Sequence, residues 1–278
     1  MQDKVFNALA DLALTASGQS IPPSMAYLIG HRLAAILRRE GFGELSDLVH
    51  CLETRQNPVL RAEIAAALLS RETWFFRDRG GLEDLVRKVL PERLAAGPPG
   101  RVRIWCAGGS TGQEAYSLAM LLEEEAPVPG ADIEILSTDL CRQSSEKARS
   151  GLFGHYEVQR GLSVHRLLRH FTRLESGDWQ ASQALRNRVS FSVHNLLEPA
   201  GGLGAFDIIL CRNVVSGMVR AARSRTAESL ASQLAPGGVI LLAEGETLRG
   251  LSGRLEPASE LSRGWVAAGT ANARASAA

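Results

Sequence analysis

The stretch RVRIWCAGGSTGQEAYSLAMLLEEE, residues 101–125, decides the fold of this chain. It begins with RVRIWCA, a short apolar run typical of a buried strand, and ends with QEAYSLAMLLEEE, which has the pattern of a helix. Between them lies GGSTG, at 108–112, where glycines let the backbone turn sharply. A strand that leads through a glycine loop into a helix is the repeating unit of parallel α/β sheets. The preceding GPPG, at 97–100, predicts a loop.

The same alternation continues on the C-terminal side of this unit. Further strands are predicted in IEILSTD, RVSFSVHNLL, FDIILCRN and PGGVILLAEGE, and helices in residues 143–150 and 223–235. Buried-type strands that alternate with helices predict an α/β fold with a parallel, doubly wound, Rossmann-like sheet. The alternation fails at about 154–187, where polar and charged residues dominate, so an inserted subdomain is predicted there.

Residues 1–75 have a different character, because their apolar residues recur at helical spacing. Helices are predicted between Pro23 and Gly41, and then at 44–53 and 58–70. We therefore expect an all-helical N-terminal domain at 1–75, ahead of the α/β domain at 76–264. The small and polar residues 265–278 predict a disordered tail.

The glycine loop and the end of the next strand together predict a ligand site. Gly108, Gly109 and Gly112 allow a ligand to approach the backbone closely, and the helix beyond them offers free N–H groups. Asp139 ends the strand IEILSTD, where an acidic residue can accept hydrogen bonds from ribose hydroxyls. Two alternatives stay open, namely that the loop is only a tight turn and that Asp139 is a helix N-cap.

Motif spacing and composition exclude several other functions. A P-loop needs Gly-Lys-Ser/Thr, but Gln113 follows Gly112, and the loop does not have the spacing G-x-G-x-x-G of dinucleotide sites. The net charge of +1 provides no global attraction to nucleic acid or membranes. The sequence contains no apolar run of about 18 residues, so it predicts no membrane span. The four cysteines form no CxxC pair, which favours buried free thiols in a reducing cytoplasm over a zinc site.

Six segments together resemble the CheR family of chemotaxis methyltransferases. They are RETWFFRD at 71–78, IWCAGGSTGQEAYSLAM at 104–120, STDL at 137–140, HNLL at 194–197, FDIILCRNV at 206–214 and LAPGGVILLAEGETL at 234–248. The resemblance implies a protein that binds S-adenosylmethionine and esterifies glutamate side chains of cytoplasmic chemoreceptor helices, with S-adenosylhomocysteine as the product. The insertion resembles the β-subdomain of that family.

The resemblance also assigns roles to single residues. Arg77 matches the essential arginine of the family and is predicted to be both catalytic and cofactor-binding, with a surface salt bridge as the alternative. The other predicted cofactor-binding residues are Thr73 beside the reaction centre, Ala107 and Gly108 at the glycine loop, Glu114 in the following helix, Asp139 at the ribose, Asn195 and Leu196 on the adenine side, and Asn213 and Val214 after the next strand. Trp74, Phe75 and Phe76 are interpreted as core packing, and no metal site is predicted.

Some positions depart from the family pattern. Gly217 stands where the family commonly has a tyrosine, so a non-catalytic regulator that binds the cofactor is the alternative function. The second helix carries Arg32, Arg38 and Arg39 but is less basic than the receptor-facing helix of the family. The insertion has Glu-Ser-Gly-Asp at 175–178 instead of Gly-x-Gly, which predicts no tethering to the C-terminal pentapeptide of a receptor. A monomer is expected. A methyltransferase of nucleic acids or small molecules is disfavoured, because the chain has neither a basic surface nor an Asn/Asp-Pro-Pro-Tyr motif.

Overall fold

The computed structural model describes residues 3–55, 57–69, 72–96, 101–125, 130–259, 261 and 263–269. The loop predicted at 97–100 and residues 270–278 of the predicted tail lie outside these ranges. Within them, no helix is both long enough and apolar enough to cross a membrane.

The N-terminal region consists of helices packed around an apolar cluster of their own. They are α1 Asp3–Ser17, α2 Ala26–Glu40, α3 Leu45–Thr54 and α4 Pro58–Leu68. Leu9, Leu33, Leu48 and Ile64 are fully buried in this cluster. Helix α2 stops at Gly41 because that residue adopts φ +75°, a left-handed conformation that favours glycine. The predicted helical character of the region is confirmed.

The described residues after α4 form one large sheet and one small sheet. The strands are β1 Arg101–Ala107, β2 Asp132–Asp139, β3 Leu152–Phe153, β4 Phe171–Arg173, β5 Trp179–Ala181, β6 Val189–Val193, β7 Phe206–Cys211, β8 Leu234–Leu242, β9 Leu255–Pro257 and β10 Gly264–Ala267. The large sheet has the order β6-β2-β1-β7-β8-β10-β9. The strands from β6 to β8 are parallel, whereas β10 and β9 add antiparallel pairs at the edge.

Helices cover both faces of the large sheet, so each face has its own core. These helices are α5 Arg79–Asp84, α6 Leu90–Ala96, α7 Gln113–Glu125, α8 Arg142–Ser150, α9 His155–Gln159, α10 Val164–His170, α11 Gln183–Arg188 and α12 Arg220–Ser232, with a π turn at Leu85–Val89. Along β1, Ile104 and Cys106 belong to one core and Trp105 and Ala107 to the other, as the alternation of side chains in a strand requires. The predicted doubly wound α/β fold is confirmed.

Two predicted boundaries differ from the structure. The inserted small sheet, of order β3-β5-β4, begins at Leu152 rather than about 154. A strand of two residues has no alternation to reveal it, although Phe153 is buried in the core. The tail predicted from 265 is also wrong at its start, because β10 extends to Ala267. Trp265 and Val266 are buried there, and this burial fixes the strand on the sheet.

Candidate active site

A cleft of about 1000 Å³, its open mouth included, lies at the carboxyl ends of β1, β2 and β7. Strand β1 lies between β2 and β7 in the sheet. This edge is therefore the switch point at which α/β proteins commonly bind ligands. The N-terminal region forms part of the cleft wall, through Ser17, Gln19, Ala66 and Leu69.

The glycine loop packs so closely on its neighbours that it leaves no room for side chains. The N–H groups of Gly108 and Gly109 both donate to the Thr138 carbonyl at 2.9 Å. Gly108 has φ +84°, and a Cβ atom there would lie 2.6 Å from Val214 Cγ2. A Cβ atom on Gly109 would lie 2.1 Å from Ser137 Oγ. The loop is therefore more than a tight turn, because its backbone is fixed to the end of β2 and lines the cleft.

Asp139 organises the backbone at the end of β2. Its Oδ2 accepts a hydrogen bond from Ser110 N at 2.9 Å, and its Oδ1 accepts one from Cys141 N at 2.8 Å. The N-cap of α8 is Cys141, so the predicted N-cap alternative for Asp139 is wrong in detail. Asp139 also lines the cleft, and a carboxylate group has about four acceptor positions in all. The carboxylate can therefore bind ligand hydroxyls while it holds the loop.

The segment before α5 has a strained backbone. Phe76 and Asp78 have φ +54° and +50°, values that non-glycine residues rarely adopt. Phe76 N donates to Ser117 Oγ at 2.9 Å, which fixes the segment on α7. Phe75 is fully buried and packs edge-to-face on Phe153. The burial of Phe75 and Phe76 agrees with their interpretation as core residues. Arg77 lies between Phe76 and Asp78, so their unusual backbone conformations set the direction of its side chain.

Arg77 stacks on Trp74, which is half-buried and lines the cleft. The Arg77 guanidinium carbon lies 4.3 Å from the centre of the Trp74 ring, and that of Arg160 lies 4.2 Å from the same centre. Arg77 Nη1 donates to the Glu72 carbonyl at 2.9 Å, whereas Arg160 pairs with the Glu72 carboxylate at 2.6 Å. Core packing alone is therefore the wrong interpretation of Trp74, because its ring faces two cations. No carboxylate of the described residues lies within 4 Å of Arg77, which contradicts the salt-bridge alternative.

Arg212 is a buried cation at the floor of the cleft that the sequence interpretation missed. Its Nη2 donates to the Arg77 carbonyl at 2.6 Å and lies 3.3 Å from Asp78 Oδ2. Its Nη1 lies 3.2 Å from Glu114 Oε2, without the alignment of a hydrogen bond. Burial raises the pKa of Glu114, and Arg212 and then Arg77 act against that rise. An arginine at the end of the apolar strand FDIILC was the available signal.

The segment after β6 joins the cleft to the N-terminal region. Asn195 Nδ2 donates to the Ala16 carbonyl at 2.8 Å, and its Oδ1 accepts from Leu197 N at 3.0 Å. His194 Nε2 is buried without a hydrogen-bond partner in the described chain, and burial lowers the pKa of this imidazole. Leu196 is buried beside them. This side of the cleft therefore combines the apolar Leu196 with the polar groups of His194 and Asn195, a mixture that can bind the face and the edge of a planar ring.

Glu246, which the sequence interpretation also missed, holds the loop after β7. Its Oε2 accepts from Asn213 N at 2.8 Å, and its Oε1 accepts from Ser216 N at 3.0 Å. Asn213 has φ +59° and is exposed. Gly217 follows, and the space above it contains Gln19, whose Oε1 lies 3.2 Å from the position of a Cβ atom at 217.

The structure brings together nine of the ten predicted cofactor-binding residues. Those that line the cleft are Thr73, Arg77, Gly108, Glu114, Asp139, Asn195, Leu196, Asn213 and Val214. Ala107 does not line it, because as the last residue of β1 its side chain is buried in the core that contains Trp105.

These residues fit the groups of S-adenosylmethionine. Glu114 offers a carboxylate to an ammonium, and Arg77 offers a guanidinium to a carboxylate. Asp139 offers acceptors to ribose hydroxyls, and Leu196 offers an apolar surface. The Arg212 Nη1 group, which makes no hydrogen bond within the described residues, lies 3.2 Å from Glu114 Oε2 and so balances the charge of that carboxylate.

Comparison with known proteins agrees with this geometry. Residues 71–262 match the family described as CheR methyltransferase, SAM binding domain. Chemotaxis protein methyltransferase Cher2 of Pseudomonas putida is 34% identical over 85% of this chain and 87% of that protein. Chemotaxis protein methyltransferase 1 of Pseudomonas aeruginosa is 35% identical over 81% of this chain and 83% of that protein. Chemotaxis protein methyltransferase 1 of Vibrio cholerae is 34% identical over 92% of this chain and 94% of that protein.

Proposed function

Since the chain belongs to the CheR family of S-adenosylmethionine-binding methyltransferases, we propose that it esterifies glutamate side chains of methyl-accepting chemoreceptors, for adaptation in a chemosensory pathway. The observation that carries the proposal is the position of Arg77. Its guanidinium lines the cleft with no carboxylate of the described residues within 4 Å, and Glu114, whose pKa burial raises and the charges of Arg212 and then Arg77 act to hold down, lines the same cleft. A cation so placed is available to a ligand carboxylate.

Each group of the cofactor has a chemically matching residue in the cleft. Glu114 binds the ammonium of the amino-acid end, and Arg77 binds its carboxylate, with Thr73 beside them. Asp139 accepts hydrogen bonds from the ribose hydroxyls. Asn195 and Leu196 contact the adenine side, and Gly108 after β1 packs with Asn213 and Val214 after β7 around the middle of the cofactor. The preference of each group for its partner supports these assignments.

The residues of the chain orient and desolvate the reactants, because no proton has to move. The acceptor glutamate, with an ordinary pKa of about 4.3, is already ionised at neutral pH and needs no general base. S-adenosylmethionine supplies an electrophilic methyl group, and one carboxylate oxygen forms the new C–O bond as the C–S bond breaks and its electron pair stays on sulfur. Arg77 and Glu114 hold the two charged groups of the amino-acid end, and the buried floor around Arg212 limits the entry of water.

The charges on α2 are consistent with weak electrostatic steering of an acidic receptor helix. Arg39 is bound to Glu40 and Glu63, at 2.8 and 2.6 Å. Arg32 donates to the Leu68 carbonyl. Arg38 is exposed and forms no hydrogen bond or ion pair with the residues the structure describes. Most of the predicted basic face is thus already neutralised or directed inwards, so contact shape must contribute more than long-range attraction. We place the protein in the cytoplasm, where the signalling helices of such receptors lie.

Transfer of labelled methyl groups tests the proposal. The purified chain is incubated with radiolabelled S-adenosylmethionine and the cytoplasmic fragments of chemoreceptors from the same genome. Methyl esters of carboxylates release methanol in alkali, which distinguishes them from methylated nitrogen. We expect alkali-labile label on a receptor fragment. We expect Arg77→Lys to lower kcat/KM by about 10- to 100-fold, because lysine cannot make the paired hydrogen bonds of a guanidinium.

Arg79→Lys is the matched control, since Arg79 is an exposed residue paired with Glu83 and is not part of the cleft. It should retain kcat/KM within about 2-fold of the parent chain. Near-normal turnover by Arg77→Lys would contradict the role of Arg77. Binding of S-adenosylhomocysteine without ester formation on any receptor fragment would instead favour the non-catalytic regulator, to which Gly217 points.

A further inference from the structure

The side chain of Gln19 lies at the mouth of the cleft, on a backbone fixed from both sides. Gln19 and Met218 form an antiparallel bridge. Ser20 N donates to the Gly217 carbonyl at 3.2 Å, and Val219 N donates to the Gly18 carbonyl at 2.9 Å. This short pairing joins the end of α1 to the start of α12, so Gln19 has little freedom to move relative to the cleft.

Glycine at position 18 makes this close approach possible. Gly18 adopts φ +72°, and a Cβ atom there would lie 2.2 Å from Ala222 Cβ. Gln19 N donates to Ser17 Oγ at 3.1 Å, and Ser17 Oγ in turn donates to the Ala13 carbonyl at 2.7 Å. The hydrogen bonds of the Gln19 backbone are therefore directed into the fold, and its side chain projects over Gly217.

The Gln19 amide occupies space that a side chain at 217 would need. Its Oε1, Cδ and Cγ lie 3.2, 3.5 and 3.8 Å from the position of a Cβ atom on Gly217. Gln19 lines the same cleft as Arg77 and Glu114, is half-buried, and makes no side-chain hydrogen bond within the described ranges. A half-buried amide with unused N–H donors at the mouth of a cleft is suited to bind an incoming acceptor.

We infer that the Gln19 amide donates to the carboxylate that accepts the methyl group, an inference that rests on the proposed function. The reaction joins an anion to a cation and removes both charges as the transition state forms. A cationic side chain on the acceptor would stabilise the ground state more than the transition state and would slow the reaction. A neutral N–H donor orients the carboxylate and slows the reaction less than a cation would. It can also bind the carbonyl oxygen of the ester product. Arg77 is then left for the carboxylate of the cofactor.

Two substitutions of Gln19 test this inference in the methanol-release assay. Gln19→Glu keeps the shape of the side chain but replaces the donor by a negative charge, and Gln19→Met keeps its length without polar atoms. We expect kcat/KM for the receptor fragment to fall about 10- to 100-fold in Gln19→Glu and about 3- to 10-fold in Gln19→Met. The Kd for S-adenosylhomocysteine, measured by calorimetry, should change by less than about 2-fold, which also shows that the variants are folded.

Gln183→Glu is the matched control, because Gln183 is exposed on α11 and the substitution makes the same change in charge. Gln183→Glu should leave both kcat/KM for the receptor fragment and the Kd for S-adenosylhomocysteine unchanged. Parent-like kcat/KM in both Gln19 variants overturns the inference, as does a loss fully explained by weaker binding of S-adenosylhomocysteine. If the parent chain forms no ester, the proposed function fails and the inference fails with it. If the parent chain is active and the variants equal it, only the inference fails.

Discussion

Replacement of Arg212 by glutamine removes the buried cation that three groups around the cleft share. Arg212 Nη2 contacts the Arg77 carbonyl and Asp78 Oδ2, and its Nη1 lies 3.2 Å from Glu114 Oε2. Removal of one partner from a buried ion pair costs about 3–5 kcal/mol. Glu114 and Asp78 remain 18% and 30% exposed, and Asp78 keeps Arg263 at 2.8 Å. We therefore expect Arg212→Gln to lower the free energy of unfolding by about 3 kcal/mol, the low end of that range.

The loss of unfolding free energy in Arg212→Gln should depend on pH, and Glu114 sets the direction of that dependence. Burial raises the pKa of this carboxyl, and Arg212 acts against the rise, so loss of Arg212 raises the pKa further. A folded-state pKa above the unfolded value means that the folded protein binds the proton more tightly. The stabilisation from this tighter proton binding is fully present below about pH 4.3, the ordinary pKa of a glutamate, and is lost as pH rises through the folded-state pKa. The deficit of Arg212→Gln should thus be larger at pH 8 than at pH 5.

Calorimetric melting at pH 5 and pH 8 measures this effect. A loss of about 3 kcal/mol corresponds to a Tm lower by about 6–12 °C in a protein of this size. The double variant Arg212→Met with Glu114→Gln should recover part of the loss at pH 8, because it leaves no unpaired carboxylate at position 114. Arg79→Gln, which breaks the exposed pair with Glu83, should cost less than about 1 kcal/mol. An equal deficit of Arg212→Gln at both pH values would refute this reasoning.

Three further predictions concern other parts of the molecule. Gly161→Ala should lower the free energy of unfolding by about 3 kcal/mol or more in urea titrations, because its Cβ atom would lie 1.8 Å from the Phe75 carbonyl; Gly177→Ala, at similar φ in open space, should cost only about 1–2 kcal/mol. Glu114→Gln should weaken S-adenosylhomocysteine binding about 10- to 100-fold in calorimetry, through loss of a charged partner for the ammonium, and unchanged affinity would remove Glu114 from the site. A receptor C-terminal pentapeptide should give no calorimetric signal, and micromolar affinity would contradict that prediction.

The sequence predicted those features that depend on neighbours along the chain. RVRIWCA, the glycine loop and the helix after it form one local unit, and each part has the composition its structure needs. Asp139 follows a strand whose apolar run shows where the strand ends. Because parallel strands align their carboxyl ends, the loop and Asp139 had to meet. The resemblance to the CheR family supplied most of the remaining assignments, and nine of the ten residues predicted to bind the cofactor line one cleft.

The features that the sequence did not predict depend on residues far apart in the chain. Gln19 lies over Gly217 only because α1 docks beside α12, which no local pattern reveals. Glu246 supports the loop after β7 from a turn beyond β8, and glutamate in a turn otherwise suggests a solvated surface. Trp74 is followed by Phe75 and Phe76, which suggested core packing, but Arg77 and, from the insertion, Arg160 both lie over its ring.

The N-terminal region forms part of the cleft wall and also carries the α2 surface that we propose for receptor recognition. Asn195, which lines the cleft, donates from Nδ2 to the Ala16 carbonyl at the end of α1. Gln19 follows directly and closes the mouth over Gly217, while Ala66 and Leu69 complete the same wall. A receptor helix that rests on α2 would therefore lie on the region that holds the acceptor side of the cleft. Under the proposed function, recognition and methyl transfer would be joined through this short segment, and the choice of glutamate would depend on how the receptor fits both α2 and the cleft mouth.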